Sequence, residues 1–364
     1  MTKDEDRANF PSDAVIVSID AMGGESGVEA IIGGIEISAK INPDIRFIVH
    51  GDSAKINALL QKTPALTDLV DVRHSDKVIE MHVKPAQAVR GGKGSSMWNT
   101  IQSIKDGEAT VAVSCGNTGA LMMMSVLRLR KLPGVSRPAI AVLWPSRNPS
   151  GYNVMLDMGA DIKADAKDLL QYAIMGASYA RNGLGLTRPR VGLLNIGTED
   201  NKGRPELREA AELIEATQEA SDLEYIGFVE GSDMPSDRVD IIVTDGFTGN
   251  VALKAGEGTA KLIGQFLRDA FTHSTMAKVA ALFASGPLKR LKNRIDPRRV
   301  NGGVFLGLNG TVIKSHGSAD AIGVSAAIKL AFKLAKNGFS EKLAARVASA
   351  AAASKNTPSK TDEA

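Results

Sequence analysis

The sequence predicts an α/β fold with a mostly parallel sheet and flanking helices. Short runs rich in Val and Ile alternate with segments of helical periodicity along most of the chain. The 36 glycines indicate many tight loops between a strand and the following helix. The apolar content of 43% is that of an ordinary globular protein. The alternation therefore indicates repeated strand–helix units.

The elements follow from this pattern in chain order. Strands are predicted at residues 14–19, 45–49, 111–113, 139–143, 154–156, 191–194, 225–228 and 241–243. Helices are predicted at residues 27–40, 118–131, 165–181, 205–220, 250–271 and 320–336.

The ends of the chain and one internal break indicate its domain organisation. Residues 1–12 and 351–364 are polar or small and lack periodicity, which predicts flexible tails around an α/β body at 13–350. Two prolines and polar residues at 145–149 interrupt the pattern. This interruption either divides the body into two lobes near residue 150 or is a loop within one long sheet.

Composition excludes several classes of protein. The single cysteine, Cys115, allows no intrachain disulfide and indicates a reducing compartment. The charged N-terminal residues lack the apolar core of a secretory signal, and no apolar run approaches the roughly 18–20 residues that span a bilayer. A net charge of +3 and an aromatic content of 4% argue against a nucleic-acid partner. We therefore expect a cytoplasmic protein.

Glycine and small polar residues recur in five loops that follow strands or open helices. Ligands of open α/β sheets bind at the carboxyl ends of the strands, and the N–H groups of the following helices favour an anion such as phosphate. For each loop alone, the alternative is an ordinary helix cap and turn. The candidate residues in these loops are Asp20, Gly23, Gly24, Gly116, Asn117, Thr118, Asn195, Asp245, Gly246, Asn250, Lys314, Ser315, His316 and Gly317.

The sequence contains no standard nucleotide or metal motif. Neither G-x-G-x-x-G nor G-x-x-x-x-G-K-[ST] occurs, and the five histidines lack metal-ligand spacing. We therefore assign no metal and no organic cofactor. Cys115 is interpreted as a small loop or core residue, because no histidine near it in sequence would activate it. His316 is a candidate general acid or anion contact, with a structural role as the alternative.

One segment, at about 272–300, departs from the α/β rhythm. Val279 and Phe283 lie on one apolar helical face, and residues 286–299 hold six basic residues and one acidic residue, a net charge of +5. A basic amphipathic stretch is typical of a membrane-surface or partner-binding element. The alternative is a helix that packs its apolar side on another subunit. The predicted contact residues are Val279, Phe283, Lys289, Arg290, Lys292 and Arg294.

The motifs, taken in order, resemble those of the acyl-acyl carrier protein:phosphate acyltransferases, the PlsX family. The matching stretches extend from about residue 14 to about residue 337. They are residues 20–24 (DAMGG), 114–122 (SCGNTGALM), 194–197 with 202–203, 244–254 (TDGFTGNVALK), 306–310 and 314–321 (KSHGSADA).

The resemblance implies transfer of a fatty acyl group from acyl carrier protein to inorganic phosphate, giving acyl phosphate for phospholipid synthesis. It also implies a fold similar to isopropylmalate dehydrogenases and phosphate acetyltransferases, a homodimer, and peripheral association with an anionic membrane surface. The basic amphipathic segment is then a contact for that membrane, for the carrier protein, or for both. A glycerol-3-phosphate acyltransferase is the expected downstream partner.

For this reaction, we interpret His316, Asn117, Asn250 and Asp245 as catalytic residues and the other loop residues as substrate-binding. Two other functions stay open from the sequence: an NAD-dependent hydroxyacid dehydrogenase of similar fold, and a non-catalytic membrane-surface scaffold.

Overall fold

A computed structural model describes residues 10–295 and 302–355, and the side chains of all of these except 292–295 and 350–355. Over this range the chain forms eleven β-strands and twelve α-helices in alternation. The α/β class predicted from the sequence is confirmed.

The strands and helices have the following bounds. The strands are β1 (Val15–Asp20), β2 (Ile45–Gly51), β3 (Val70–His74), β4 (Val111–Ser114), β5 (Ala139–Pro145), β6 (Tyr152–Leu156), β7 (Arg190–Leu194), β8 (Glu224–Val229), β9 (Ile241–Val243), β10 (Gly303–Leu306) and β11 (Thr311–Lys314). The helices are α1 (Gly27–Ile41), α2 (Ser53–Leu60), α3 (Pro85–Gly91), α4 (Ser96–Lys105), α5 (Thr118–Leu129), α6 (Ala166–Leu184), α7 (Pro205–Thr217), α8 (Gly246–Thr272), α9 (Thr275–Phe283), α10 (Ser285–Ile295), α11 (Ala321–Lys336) and α12 (Phe339–Lys355).

All eight predicted strands and all six predicted helices are present, with shifted ends. Three strands, β3, β10 and β11, and four helices, α2, α3, α4 and α12, were not predicted from the sequence. The missed strands are only four or five residues long, and β3 alternates polar and apolar residues without any that is fully buried. The prediction of a flexible tail from residue 351 is wrong for 351–355, because α12 continues through an alanine run to Lys355. The rest of both predicted tails lies outside the described residues, apart from residues 10–12.

The chain divides into two compact units. The first comprises the described parts of Met1–Pro138, Ser178–Leu186 and Asn301–Ala364, and the second comprises those of Ala139–Ala177 and Thr187–Val300. The predicted boundary near residue 150 falls instead within an antiparallel hairpin, in which Pro145 pairs with Tyr152. The proline-rich interruption at 145–149 is therefore the turn of that hairpin.

The sheet of the first unit has the strand order β3-β2-β1-β4-β11-β10. All neighbours are parallel except β10 and β11. The interior strands β1 and β4 are apolar on both faces, as expected for parallel strands covered by helices on both sides. Their register aligns Asp20 with Ser114, and Ser114 with Lys314, at the carboxyl ends of β1, β4 and β11.

The sheet of the second unit has the order β5-β6-β9-β7-β8, parallel apart from the β5–β6 hairpin. Its strands β6 and β9 end at Leu156 and Val243. The loops that follow them begin with Asp157 and Thr244, which are joined backbone to backbone by an Asp157 N–H···O=C Thr244 bond of 2.9 Å.

Helices α1 and α11 pack closely in the first unit because small residues face each other. A Cβ built on Gly34 would lie 2.5 Å from Val324 Cγ1, and one on Gly33 would lie 2.9 Å from Ala321 Cβ. The hydroxyls of Ser38 and Ser325 meet across the same interface at 3.1 Å. The two helices can therefore lie close together because glycine and serine take up little space between them.

We expect Gly34→Ala to destabilise the first unit by about 1–3 kcal/mol, the usual cost of overpacking a close interface. The matched control is Gly258→Ala on α8, where a new Cβ meets nothing within 4 Å. That change should be neutral or stabilising, because alanine favours a helix over glycine by about 1 kcal/mol. Thermal unfolding followed by circular dichroism measures both. Equal midpoints for the two variants would show that α1 and α11 have room to separate.

Candidate functional site

Three loops of the first unit converge where β1, β4 and β11 end. Asp20 closes β1, and its fully buried carboxylate accepts hydrogen bonds from Ser114 Oγ (2.7 Å) and from the backbone N–H of Met22 (3.2 Å). Ser114 Oγ in turn accepts from the N–H of Gly116 at 3.0 Å. Asp20 therefore joins the loop after β1 to the loop after β4.

Burial raises the pKa of Asp20 above its ordinary value, and the nearby hydroxyls of Ser96 and Ser114 act against that rise. A fully buried carboxyl group that accepts several hydrogen bonds stabilises the structure around it. These hydrogen bonds join the two loops, and the predicted substrate contact of Asp20 stays a prediction.

The glycines of these loops allow the backbones to touch. A Cβ on Gly23 would lie 2.3 Å from Asp20 Oδ2 and 2.9 Å from Gly116 Cα. One on Gly24 would lie 3.0 Å from Cys115 Cβ. Any side chain at Gly23 would thus separate the first two loops.

The third loop, after β11, packs on the other two. Lys314 Nζ donates to the carbonyl oxygen of Cys115 (3.2 Å) and to that of Ser315. The N–H of Ser315 donates to Ser114 O at 2.9 Å, and Gly317 O accepts from the N–H of Glu25 at 2.7 Å. Ser315 is buried, whereas His316 is exposed between it and Gly317. The predicted residues of this loop therefore share one edge of the sheet with Asp20, Gly116 and Asn117.

Asn117 caps α5 and holds a neighbouring loop. Its Oδ1 accepts from the N–H of Ala120 at 3.0 Å, the usual geometry of a helix cap. Its Nδ2 donates to the carbonyl oxygens of Met81 (2.7 Å) and Val83 (3.0 Å). Thr118 is exposed at the first position of α5. The side-chain amide of Asn117 is thus occupied by the protein, and its predicted catalytic role stays a prediction.

Cys115 lies within this cluster but is protected. The side chain is buried. Burial raises the pKa of its thiol, against the opposing effects of Ser315 and Lys314. The thiol therefore stays protonated at neutral pH, which supports its interpretation as a small buried residue.

A second cluster lies in the second unit, at the ends of β6 and β9. The carboxylate of Asp157 accepts from four backbone N–H groups, those of Ile140, Gly159, Ala160 and Asp161, at 2.7–3.3 Å. Burial nevertheless raises the pKa of Asp157 to about 6. Gly246 and Gly249 seat the first turn of α8 against this loop, since a Cβ on either would lie 2.0–2.4 Å from oxygen atoms of Asp157.

Asp245 caps α8 and forms an ion pair. Its Oδ1 accepts from the N–H of Thr248 at 2.9 Å, and its Oδ2 accepts from the Thr248 hydroxyl and from the Arg204 guanidinium. Burial raises the pKa of Asp245, but these hydrogen bonds outweigh it, so that the pKa lies below its ordinary value. The carboxylate is therefore charged at neutral pH, and its predicted catalytic role stays a prediction.

Asn195 and Asn250 differ in how many hydrogen bonds their side-chain amides form within the protein. Asn195 is buried, its Nδ2 donates to Lys202 O (3.2 Å), and its Oδ1 accepts from the N–H of Ile196 (2.8 Å). Asn250 is exposed and makes one long bond of 3.4 Å to Met158 O. The predicted catalytic role of Asn250 and the predicted substrate contact of Asn195 stay predictions, and the exposed amide of Asn250 is the more accessible of the two to a ligand.

The structure brings the predicted residues together as two sets, one in each unit. The first unit holds Asp20, Gly23, Gly24, Gly116, Asn117, Thr118, Lys314, Ser315, His316 and Gly317. The second holds Asn195, Asp245, Gly246 and Asn250. Across the described residues, no group of three or more His, Cys, Asp or Glu side chains has the arrangement of a metal site.

The predicted amphipathic segment forms the two helices α9 and α10. Val279 and Phe283 are exposed, as are Met276 and Leu282, and Lys289 and Arg290 of α10 are also exposed. The predictions for the side chains of Lys292 and Arg294 lie outside the described residues. Among the described helices, none is both long and apolar enough to traverse a bilayer.

Comparison with known proteins identifies the family. The model of the family described as "Fatty acid synthesis protein" matches residues 15–342. The chain belongs to this family. Relatives named "Phosphate acyltransferase" are 65% identical in Paracoccus denitrificans, over 98% of this chain and 97% of the relative, and 62% identical in Jannaschia sp., over 96% of each. The resemblance to the PlsX phosphate acyltransferases is confirmed.

Solved structures of similar fold support the architecture. A phosphotransacetylase from Streptococcus pyogenes matches with a TM-score of 0.60 at 18% identity, covering 89% of this chain and 94% of that one. A EutD phosphotransacetylase from Staphylococcus aureus matches with a TM-score of 0.53 at 14% identity, covering 93% and 96%. At these identities, the likeness shows a shared fold.

Sequence reasoning missed several residues that build the two clusters in this family member. Ser96, whose hydroxyl opposes the rise in the pKa of Asp20, belongs to a helix that was not predicted from the sequence. Arg204 pairs with Asp245, a residue 41 positions away. A signal for Arg204 was present, since it directly precedes Pro205 at the start of a predicted helix. Sequence spacing alone gave no sign of its acidic partner.

The ion pair of Asp245 with Arg204 predicts a pH-dependent stability. A carboxylate with a lowered pKa stabilises the fold above its ordinary pKa, and this contribution is lost as the pH falls through the folded pKa. We expect Asp245→Asn, which keeps a good cap, to lower the free energy of unfolding by about 1–2 kcal/mol at pH 7, since Arg204 is half-exposed.

Urea unfolding at pH 7 and pH 3 measures this difference, which should become smaller at the lower pH as the carboxylate approaches its lowered pKa. Asp52→Asn is the matched control, because Asp52 also caps a helix but is partly exposed and pairs only with the exposed Lys55 at 3.6 Å; it should cause a smaller loss. Equal losses for Asp245→Asn at both pH values would assign the effect to packing instead of the ion pair.

Proposed function

We propose that this chain transfers a fatty acyl group from acyl carrier protein to inorganic phosphate, giving acyl phosphate for phospholipid synthesis. The observation that carries this proposal is the 65% identity, over nearly the full length, to a relative named phosphate acyltransferase. The cluster of the first unit supplies the chemistry that an anionic substrate needs.

Phosphate is proposed to bind where the loops after β4 and β11 meet. Helices α5 and α11 both begin at this edge, and helix N-termini present free N–H groups and a positive dipole end to an anion. Lys314 adds a positive charge, and the glycines at 116 and 317 let an anion approach the backbone. Asp20, buried beneath, keeps the loops together.

The proposed reaction is a direct displacement. A phosphate oxygen attacks the thioester carbonyl carbon, a tetrahedral oxyanion forms, and the carbon–sulfur bond breaks to leave acyl phosphate and the carrier thiolate. His316 donates a proton to that thiolate, since it is exposed beside Lys314 and Ser315. Holding both reactants in line supplies much of the rate. The protonated, buried thiol of Cys115 takes no part.

The direct test is to incubate the protein with acyl-acyl carrier protein, with and without phosphate, and to detect acyl phosphate by mass spectrometry. We expect thioester loss and acyl phosphate formation that both depend on phosphate. Thioester loss that is independent of phosphate, or an acyl group attached to Cys115, would contradict the proposal.

We expect His316→Ala to lower kcat by about 10²-fold or more, the usual contribution of a general acid. Affinity for the carrier protein should change little, because the imidazole acts on the leaving group. The matched control is His273→Ala, an exposed histidine at the end of α8. A change in kcat within about twofold for His316→Ala would restrict this residue to a structural role.

We also propose the assembly that the family resemblance implies: a homodimer that associates peripherally with anionic membranes and hands acyl phosphate to a glycerol-3-phosphate acyltransferase. In support, α8 has 27 residues but buries only Gly246 and Gly249, and its Val251, Ile263 and Phe266 are exposed. A second copy of the chain would cover this surface. Acyl phosphate is a reactive anhydride, so a nearby acceptor enzyme suits its chemistry.

The exposed side chains of α9 and α10 are proposed as the membrane contact. Phe283 and Leu282 are 86% and 76% exposed, an unusual position for large apolar side chains in water. We expect Val279→Asp/Phe283→Asp to reduce sedimentation with anionic vesicles at any salt concentration.

Substitution of Lys289, Arg290, Lys292 and Arg294 by Ser should reduce sedimentation most at low salt, where charges are least screened. The parent protein with neutral vesicles is the control. If both variants sediment as the parent does, α9 and α10 serve the dimer instead.

A further inference from the structure

A second basic surface lies in the first unit, on residues 77–93, here called the basic loop. Lys77, Lys84, Arg90 and Lys93 are exposed on it, and Glu80 is its one acidic residue, so that its formal net charge is +3. The basic loop is fully described and includes α3. It is separate in sequence from the basic segment around α10.

Within the part of the chain that the structure describes, the four cations of the basic loop have no acidic partner. None of them forms an ion pair with any residue that the structure describes, and Glu80 pairs with His82 instead. Other exposed cations of this unit do form such pairs, as Lys40 does with Glu36 at 2.7 Å. An acidic partner can therefore bind these four without displacing an internal ion pair.

The basic loop borders the candidate phosphate site. The carbonyl oxygens of Met81 and Val83 accept from Asn117 Nδ2 at 2.7 and 3.0 Å. A Cβ on Gly317 would lie 2.8 Å from Met81 Cε, and one on Gly119 would lie 2.6 Å from Pro85 Cγ. The basic loop thus packs on the first turn of α5 and on the loop after β11.

We propose that the basic loop is the docking surface for the acidic face of the carrier protein. This inference rests on the proposed function and places the carrier beside the phosphate-binding loops, so that its thioester arm has a short path to them. Lys84 and Arg90 lie at opposite ends of α3, about 9 Å apart along the helix axis. Cations spread in this way match a row of carboxylates on a protein surface.

The surface chemistry favours a protein over a membrane as the occupant. The basic loop exposes only two large apolar side chains, Val78 and Met81, at 40% and 37%. An interfacial helix needs a continuous apolar face to enter the headgroup region, and α3 offers none. Complementary charge at the rim of an interface instead steers encounter and selects the partner.

The test is the charge reversal Arg90→Glu/Lys93→Glu. Fluorescence anisotropy with labelled, unacylated carrier protein gives Kd, and phosphate-dependent assays with acyl-carrier protein and with acyl-pantetheine give kcat/KM. We expect Kd to rise at least tenfold at low salt and the ratio of kcat/KM for the carrier substrate over the small thioester to fall at least tenfold. Both effects should shrink as salt is added.

Two matched charge reversals serve as controls. Lys62→Glu/Lys105→Glu changes two exposed lysines, of which Lys62 follows α2 and Lys105 ends α4. The C-termini of these helices lie at the edge of the sheet opposite to the candidate phosphate site. Lys289→Glu/Arg290→Glu tests the rival surface on α10. We expect neither pair to change Kd by more than about twofold.

The outcomes separate the two proposals. A Kd for Arg90→Glu/Lys93→Glu within twofold of the parent, or an equal rise for Lys62→Glu/Lys105→Glu, overturns the docking surface, as does a rise confined to the α10 variant. If the parent forms no acyl phosphate, the proposed function fails, while the anisotropy titration still decides docking. Absence of carrier binding by the parent overturns the docking surface as well.

Discussion

The buried carboxylate of Asp20 is the interaction on which the first unit's site depends. It ends β1, and it takes the Ser114 hydroxyl at 2.7 Å from the end of the neighbouring strand. Two loops that are 94 residues apart in the chain are thereby fixed to each other before any ligand arrives. Complete burial of this carboxyl group has a large desolvation cost, which the surrounding donors offset only in part, so that its pKa stays raised. The arrangement keeps the loop backbones in close contact, and glycine at positions 23 and 116 is what permits it.

Helix caps and predicted site residues coincide in two loops. Asn117 and Asp245 each accept a hydrogen bond from the first turn of the helix that follows. A cap fixes where a helix begins, and so it fixes where the free N–H groups of that helix point. The sequence offered capping and function as alternatives for these loops. In this fold, a capping residue can contribute to function because it sets the direction of the free N–H groups at the helix N-terminus.

Local pattern was enough to predict the fold class, because each interior strand is apolar on both faces and each following helix has a buried stripe, as in β1 and α1. The same logic located the loops at the carboxyl ends of the strands. Contacts between distant segments could not be predicted. The Arg204–Asp245 pair and the bonds from Asn117 to Met81 and Val83 depend on how loops fold back in three dimensions. The basic loop was missed for the same reason, since α3 has seven residues and only one of them, Ala88, is buried.

The burial of the one cysteine has a practical consequence for spectroscopy. A thiol that is 2% exposed and has a raised pKa reacts slowly with maleimides and alkylating spin labels in the folded protein. The natural sequence is therefore already close to a cysteine-free background. A single cysteine introduced at an exposed position would be the main site of labelling. Two introduced cysteines, each with a spin label, would report a distance by electron paramagnetic resonance without any change to the buried cluster around Asp20.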